Sequence, residues 1–276
     1  MLSKRLAATA VVCSALVLGA SGCGPDKAPA VSAESAAASA TSATSATSKG
    51  AGAAGHLDTD KLTAAEIEKQ AHDAMASLSS VKVSGNLVAE GQKMKLDLAT
   101  DTKGNCQGTI AIADLGQIEI IHTGGTSFLK PDAAFWKSIA GGQGNPQAGA
   151  MAAELFKGRY LTGAKDDPEL AGLADMCDLV KSMTDSDDTS DGAVKGAATT
   201  VNGVKTFTVV STDDDGSKTT AYIATEGKPY LVKMSHDGAE PGEMNFSDFD
   251  KPVTVQAPSA DNVIDYSQFK AKLTSA

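Results

Sequence analysis

Met94-Lys95-Leu96-Asp97-Leu98 alternates apolar and polar residues without a break. That period of two is what a strand needs when one face is buried and the other is wet. The same pattern repeats outward. Val81 and Val83 precede it across a turn at Glu90-Gly91. Ile110 and Ile112, then Ile118 and Ile120, follow turns at Lys103-Gly104-Asn105 and Asp114-Leu115-Gly116. Thr126 to Lys130 adds a short fifth strand after Gly124-Gly125. Short strands joined by turn residues predict an antiparallel meander with one apolar face.

A second meander is expected over about 192–249. Asn202-Gly203, Asp215-Gly216, Glu226-Gly227 and Asp237-Gly238 are turn signals at even spacing. They separate strands carrying Val201, then Phe207 and Val209, Tyr222 and Ile223, Leu231 and Val232, and Met244 and Phe246. Between the meanders the period changes to a helical one. Phe135, Trp136 and Ile139, then Met151, Leu155, Phe156 and Tyr160, then Leu173, Met176, Leu179, Val180 and Met183 suggest three short helices. Ahead of the first meander, Thr63 and Glu66 have capping-box spacing, and Ile67, Ala71, Ala74, Met75 and Leu78 recur at helical intervals over about 64–79. The order helix, five strands, helices, five strands predicts an α+β fold. Its frame is one large curved antiparallel sheet, a half-barrel of about ten or eleven strands, with helices packed on the concave face.

The N-terminus carries an address. Lys4 and Arg5 form a positive region, Leu6 to Gly19 an apolar run, and Ala20-Ser21-Gly22-Cys23 a small-residue cleavage site ending in cysteine, the pattern of a bacterial lipoprotein signal. The position three before the cysteine, usually Leu, is Ala20, with Leu18 two residues earlier. The run is too short to span a bilayer, which takes roughly 20 apolar residues. Ordinary secretion with cleavage near Gly22 is the competing reading and would leave Cys23 a free thiol. Gly24 to Gly55 is almost entirely Ala, Ser, Thr, Gly and Pro and reads as a tether whose root-mean-square reach, treated as a coil, is roughly 30 Å. The expected division is therefore a signal peptide at 1–22, a lipidated tether at 23–61 and a single domain at 62–276.

Charge narrows the partners. The formal net charge is −10, and cleavage, which removes the two cations Lys4 and Arg5, takes it to −12. Such a balance argues against nucleic acid and against electrostatic attachment to anionic lipid. Attachment to the outer face of the cytoplasmic membrane would come from the lipid on Cys23. Once Cys13 leaves with the signal and Cys23 is lipidated, Cys106 and Cys177 remain, an even pair in an oxidising compartment, and a disulfide between them is expected. A metal pair or a reactive thiol would be the alternatives, but neither cysteine has a second Cys or His at ligand spacing.

No catalytic motif is present: the four histidines, His56, His72, His122 and His236, are scattered, and there is no nucleophile elbow, HExxH, paired Cys-x-x-Cys or phosphate loop. The chain is expected not to be an enzyme, and no cofactor is implied. Asp185, Asp187, Asp188 and Asp191 lack the Gly and the closing Glu of a calcium loop and read as a solvated linker. Asp213-Asp214-Asp215-Gly216 reads as a hairpin tip with a type I′ turn.

Three segments carry a family resemblance. Ser80-Val81-Lys82-Val83-Ser84-Gly85 after a helix, Tyr222-Ile223-Ala224-Thr225-Glu226-Gly227-Lys228-Pro229-Tyr230-Leu231-Val232-Lys233, and Phe246-Ser247-Asp248-Phe249-Asp250-Lys251-Pro252-Val253-Thr254-Val255-Gln256-Ala257-Pro258 resemble the LppX/LprG type of actinobacterial lipoprotein, related in fold to the LolA and LolB carriers. The resemblance covers about Leu62 to Tyr266 and implies a half-barrel of about eleven strands whose concave face holds acyl chains. The expected lining is Leu96, Leu98, Ile110, Ile112, Ile118, Ile120, Trp136, Leu155, Phe156 and Phe207. The function expected is binding or carriage of a lipid or other amphiphile by a membrane-anchored protein. A non-catalytic tethered interaction or sensory scaffold with a solid core is the alternative. The anchor is directly testable: Cys23→Ser should move the protein from the membrane fraction to the soluble fraction, and a variant that stays with the membrane overturns the lipoprotein reading.

Overall fold

α1 (Ala64–Ala76) starts where its capping box places it: the Thr63 hydroxyl accepts from the Glu66 backbone N–H at 3.2 Å, and the Glu66 carboxylate accepts from the Thr63 backbone N–H at 2.8 Å. Ile67, Ala71 and Met75 form its buried stripe. The computed structural model describes residues 55–141, 144–163, 172, 176–178 and 192–268. The first meander is β1 (Ser80–Ala89), β2 (Gln92–Asp101), β3 (Cys106–Ile112), β4 (Gly116–Thr123) and β5 (Thr126–Pro131). Its tight turns at Glu90-Gly91 and Gly124-Gly125 hold both residues at positive φ, as a type I′ hairpin requires.

Two helices follow, α2 (Ala133–Gly141) and α3 (Pro146–Leu155). Asn145 caps α3 by accepting from the Ala148 N–H at 3.1 Å, with Pro146 in the first turn. Tyr160, whose spacing from Phe156 suggested continued helix, lies instead on a short strand, β6 (Tyr160–Thr162). α3 has already ended at Phe156, and Gly158 turns the chain at φ 69°. Most of the third expected helix falls outside the described residues; Met176–Asp178 form one 3-10 turn. The linker reading of Asp185, Asp187, Asp188 and Asp191 also falls outside them.

The second meander comprises β7 (Val194–Val201), β8 (Val204–Thr212), β9 (Lys218–Ala224), β10 (Leu231–Asp237) and β11 (Gly242–Ser247), followed by β12 (Val263–Asp265). The β8–β9 tip departs from type I′, since only Gly216 takes a positive φ, at 86°. Asp213 and Asp215 spend their carboxylates on Ser217, which donates from its hydroxyl at 3.1 and 2.6 Å.

The fold is α+β, and twelve strands among the described residues form one open, curved sheet in the order β12-β6-β5-β4-β3-β2-β1-β11-β10-β9-β8-β7. The sheet is mixed, which corrects the all-antiparallel expectation: β12 runs parallel to β6. These two three-residue strands also raise the count above eleven. The meanders are joined by β1 and β11, paired from Lys82↔Ser247 to Leu87↔Gly242. Their registers align one apolar row across the concave face, from Phe246 through Val83, Leu98, Gly108, Ile120 and Leu129 to Leu161. Helices cover that face in two places. Phe135 and Trp136 of α2 pack with Phe156 onto the β1–β5 side, and α1 packs onto Val209 and Ile223.

The folded part begins before Leu62, the start expected from the sequence. Leu57 is buried, its N–H donates to the Thr225 carbonyl at 3.0 Å, and the Gly227 N–H donates to the Gly55 carbonyl at 2.8 Å. A polar-looking stretch had hidden one apolar side chain with a place in the core.

At Gly85 the close approach of β11 leaves no room for a side chain: a Cβ there would stand 2.0 Å from the Glu243 carbonyl oxygen. Gly85→Ala should therefore cost about 1–3 kcal/mol of stability as overpacking, read as a lowered urea midpoint; an unchanged midpoint would show that the strand pair yields freely.

Candidate ligand-binding site

The apolar face continues past the helices at one end of the sheet. Leu87 of β1 pairs with Met94 of β2, and Met94 pairs with Ile112 of β3. These three, with Leu115 from the β3–β4 turn, pack on the core yet remain partly exposed. They line an open pocket of about 710 Å³, within the few-hundred to thousand Å³ range of ligand sites. Pro241, from the β10–β11 connection, and Asp132 and Ala134, at the start of α2, complete its wall.

Local chemistry keeps this end open. The Asp132 carboxylate accepts from the Phe135 N–H at 2.8 Å and so caps α2. Gly116 makes room for the helix start: a Cβ there would meet the Asp132 carboxylate and the Phe135 nitrogen, each at 2.5 Å. α2 is thereby seated against β4, while Leu87, Met94 and Ile112 stay only partly buried. The pocket lining includes Lys93, Lys95, Asp114 and Asp132, and Glu90 and Glu240 stand beside it, the Glu90 backbone N–H donating to the Glu240 carboxylate at 2.7 Å.

Of the residues expected to line a pocket, Ile112 alone borders this one. Leu96, Leu98, Ile110, Ile118, Ile120, Trp136 and Phe156 belong to a single packed cluster, none more than 4% exposed. Trp136 stacks on Phe156 with ring centroids 4.4 Å apart. Phe207 lies in the second cluster, beneath α1. Leu155 is on the outer side of α3 and 55% exposed. Cys23 lies outside the described residues. The structure joins Cys106 to Cys177 with Cα atoms 5.7 Å apart, and the Cys177 carbonyl accepts from the Thr100 hydroxyl at 3.3 Å. This bridge fastens the 3-10 turn to the far end of the core rather than to the pocket.

Sequence reasoning missed Leu87, Met94 and Leu115. Their signal was position: Leu87 and Met94 flank the Glu90-Gly91 turn in phase with the buried face, where an apolar residue has outrun its cover. A smaller cavity of about 210 Å³ adjoins, walled by Trp136, Gln117 and Ala153. The buried Trp136 indole N–H has no acceptor among the described residues. No group of His, Cys, Asp and Glu among them could hold a metal ion. His122 and His236 make cross-strand contacts to Ser127 and Thr219 at 2.8 and 3.0 Å.

A polar cluster on the opposite face fixes the sheet margin. Glu119 of β4 is bonded to Lys130 of β5 and accepts from the Tyr160 hydroxyl of β6 at 2.5 Å. Partial burial alone would raise the Glu119 carboxyl, but the hydrogen bonds from Lys130 and Tyr160 outweigh it and hold the group below its ordinary value of 4.5. A carboxyl depressed by folding stabilises above its unfolded value and loses that contribution as pH falls through the folded one. The stability gap between wild type and Lys130→Met should therefore be full at neutral pH and shrink as pH falls below 4.5; a gap that widens on acidification, measured by urea unfolding at several pH values, would contradict the assignment.

An open α+β half-barrel with an apolar mouth is thus the class of molecule that the fold and site define. Among solved structures it is similar to LprF from Mycobacterium bovis, at 15% identity and TM-score 0.48, covering 71% of this chain and 96% of that one. It is also similar to the lipoprotein LppX of Mycobacterium tuberculosis, at 14% identity and TM-score 0.44, covering 70% and 98%. A third likeness, to the MucA/MucB complex of Pseudomonas aeruginosa, has 11% identity and TM-score 0.29 and covers 72% of this chain and 59% of that one. No protein-family model matches the chain. A comparison with curated proteins finds no match either.

Proposed function

We propose that this chain is a non-catalytic envelope lipoprotein, anchored through Cys23 on the outer face of the cytoplasmic membrane, that binds the acyl part of a lipid or other amphiphile. The observation that carries the reading is the uncovered row Leu87, Met94, Ile112 and Leu115, opening a pocket of about 710 Å³ beside an otherwise packed core. Each methylene moved from water into such a site is worth about 0.8 kcal/mol, so a segment of a few carbons supplies useful affinity without any charged anchor. The lipobox-like Ala20-Ser21-Gly22-Cys23 supports the lipoprotein part of the reading.

The scaffold reading has its own support, because seven of the ten residues first expected to line a cavity are packed solid. Binding decides between them. Soluble Cys23→Ser protein should bind a fluorescent fatty acid. Met94→Glu or Ile112→Glu should weaken binding about tenfold or more, or roughly 1.4 kcal/mol. Met151→Glu, on the exposed side of α3, should leave it unchanged. Absence of binding by the parent protein would leave the scaffold reading standing.

A further inference from the structure

The pocket and the point where the N-terminal segment leaves the fold lie toward opposite ends of the strands. Leu57 and Gly55 are bonded to Thr225 and Gly227, in the β9–β10 connection. The pocket lies by the β1–β2 and β3–β4 turns. Register measures the offset. Leu87 at the mouth pairs with Gly242, Gly242 with His236 and His236 with Thr219. From that level the chain runs along β9 to Thr225, about 20 Å at roughly 3.3 Å per residue. A domain held close to the membrane at residue 55 would therefore present its mouth away from that membrane.

We propose that the mouth docks on the same lipid surface that carries the anchor, with the domain turned over, and that the length of residues 24–54 is what permits it. The inference rests on the amphiphile-binding reading above. Fully extended, a stretch of that many residues reaches about 100 Å, well beyond the offset of about 20 Å it must span. A second contact is gained only when the linker is long enough to span the two sites. The apolar row of Leu87, Met94, Ile112 and Leu115 is the part of this end that a lipid surface would cover.

The test uses the full lipidated protein on phosphatidylcholine and phosphatidylglycerol vesicles that also contain a fluorescent fatty acid. Deleting residues 27–53 leaves a stretch of about 14 Å at most, shorter than the offset. Loading from the protein's own vesicle should then fall about tenfold or more, as expected when a linker cannot span its two contacts. Replacing 27–53 with a Gly/Ser sequence of equal length should restore it, and both variants should still bind the probe dispersed in detergent. Undiminished loading by the short variant overturns the proposal. Loss of dispersed-probe binding in the parent protein is a different result: it overturns the amphiphile reading and this proposal with it.

Discussion

Pairing between β1 and β11 is the constraint on which the rest depends. Each meander by itself is a small sheet with two open edges, and an exposed edge is a template for the wrong partner. Joining Lys82↔Ser247 through Leu87↔Gly242 removes one edge from each and makes their apolar faces continuous. The join is tight, with Gly85 leaving its side-chain space to the β11 backbone. It is also fastened beyond the ladder. Asp250, just past β11, accepts from the Ser79 backbone N–H at 2.9 Å and from the Tyr230 hydroxyl at 2.8 Å. Tyr230 in turn stacks on Phe249 with centroids 4.3 Å apart. One carboxylate so links the end of α1, the start of β1, β10 and β11.

Much of this frame was legible because hairpins have local causes. Glu90-Gly91, Gly124-Gly125 and Asn202-Gly203 all hold positive φ at both turn residues, and the alternation on either side then fixes which face is buried. Elements stabilised from outside were not legible. β6 and β12 are three residues each and owe their existence to neighbours, β5 for one and β6 for the other. Tyr160 sits four residues after Phe156, and nothing local distinguishes a continued helix from a strand recruited by the sheet. Leu57 had the same problem, because a lone apolar residue in a polar stretch carries no period to read.

The candidate site was the least legible part, for a physical reason. Apolar strand residues say that a face will be covered; they do not say by what. Ile118 and Ile120 are fully buried in the cluster that includes Phe135 and Trp136 of α2, while Ile112, on the neighbouring strand and in phase with them, stays only partly buried. The difference is set by Asp132, which caps α2, and by Gly116, which lets the cap sit against β4. Neither residue is apolar, and neither would be chosen as part of a greasy pocket. The boundary between core and mouth is drawn by polar and small residues.

The disulfide acts at the other end of the same face. Cys106 is fully buried in the row that includes Val81 and Thr100, and its link to Cys177 closes a separation of 71 residues. On the chain-entropy account such a loop contributes roughly 4 kcal/mol, comparable to the whole margin of a modest domain. A fold that leaves about 710 Å³ uncovered at one end forgoes apolar burial there, at about 25 cal/mol for each Å² left wet. Covalent closure at the opposite end offsets that loss without filling the pocket. Stability is thus drawn from the closed end, and under the proposed function a ligand bound at the mouth would add to it by mass action.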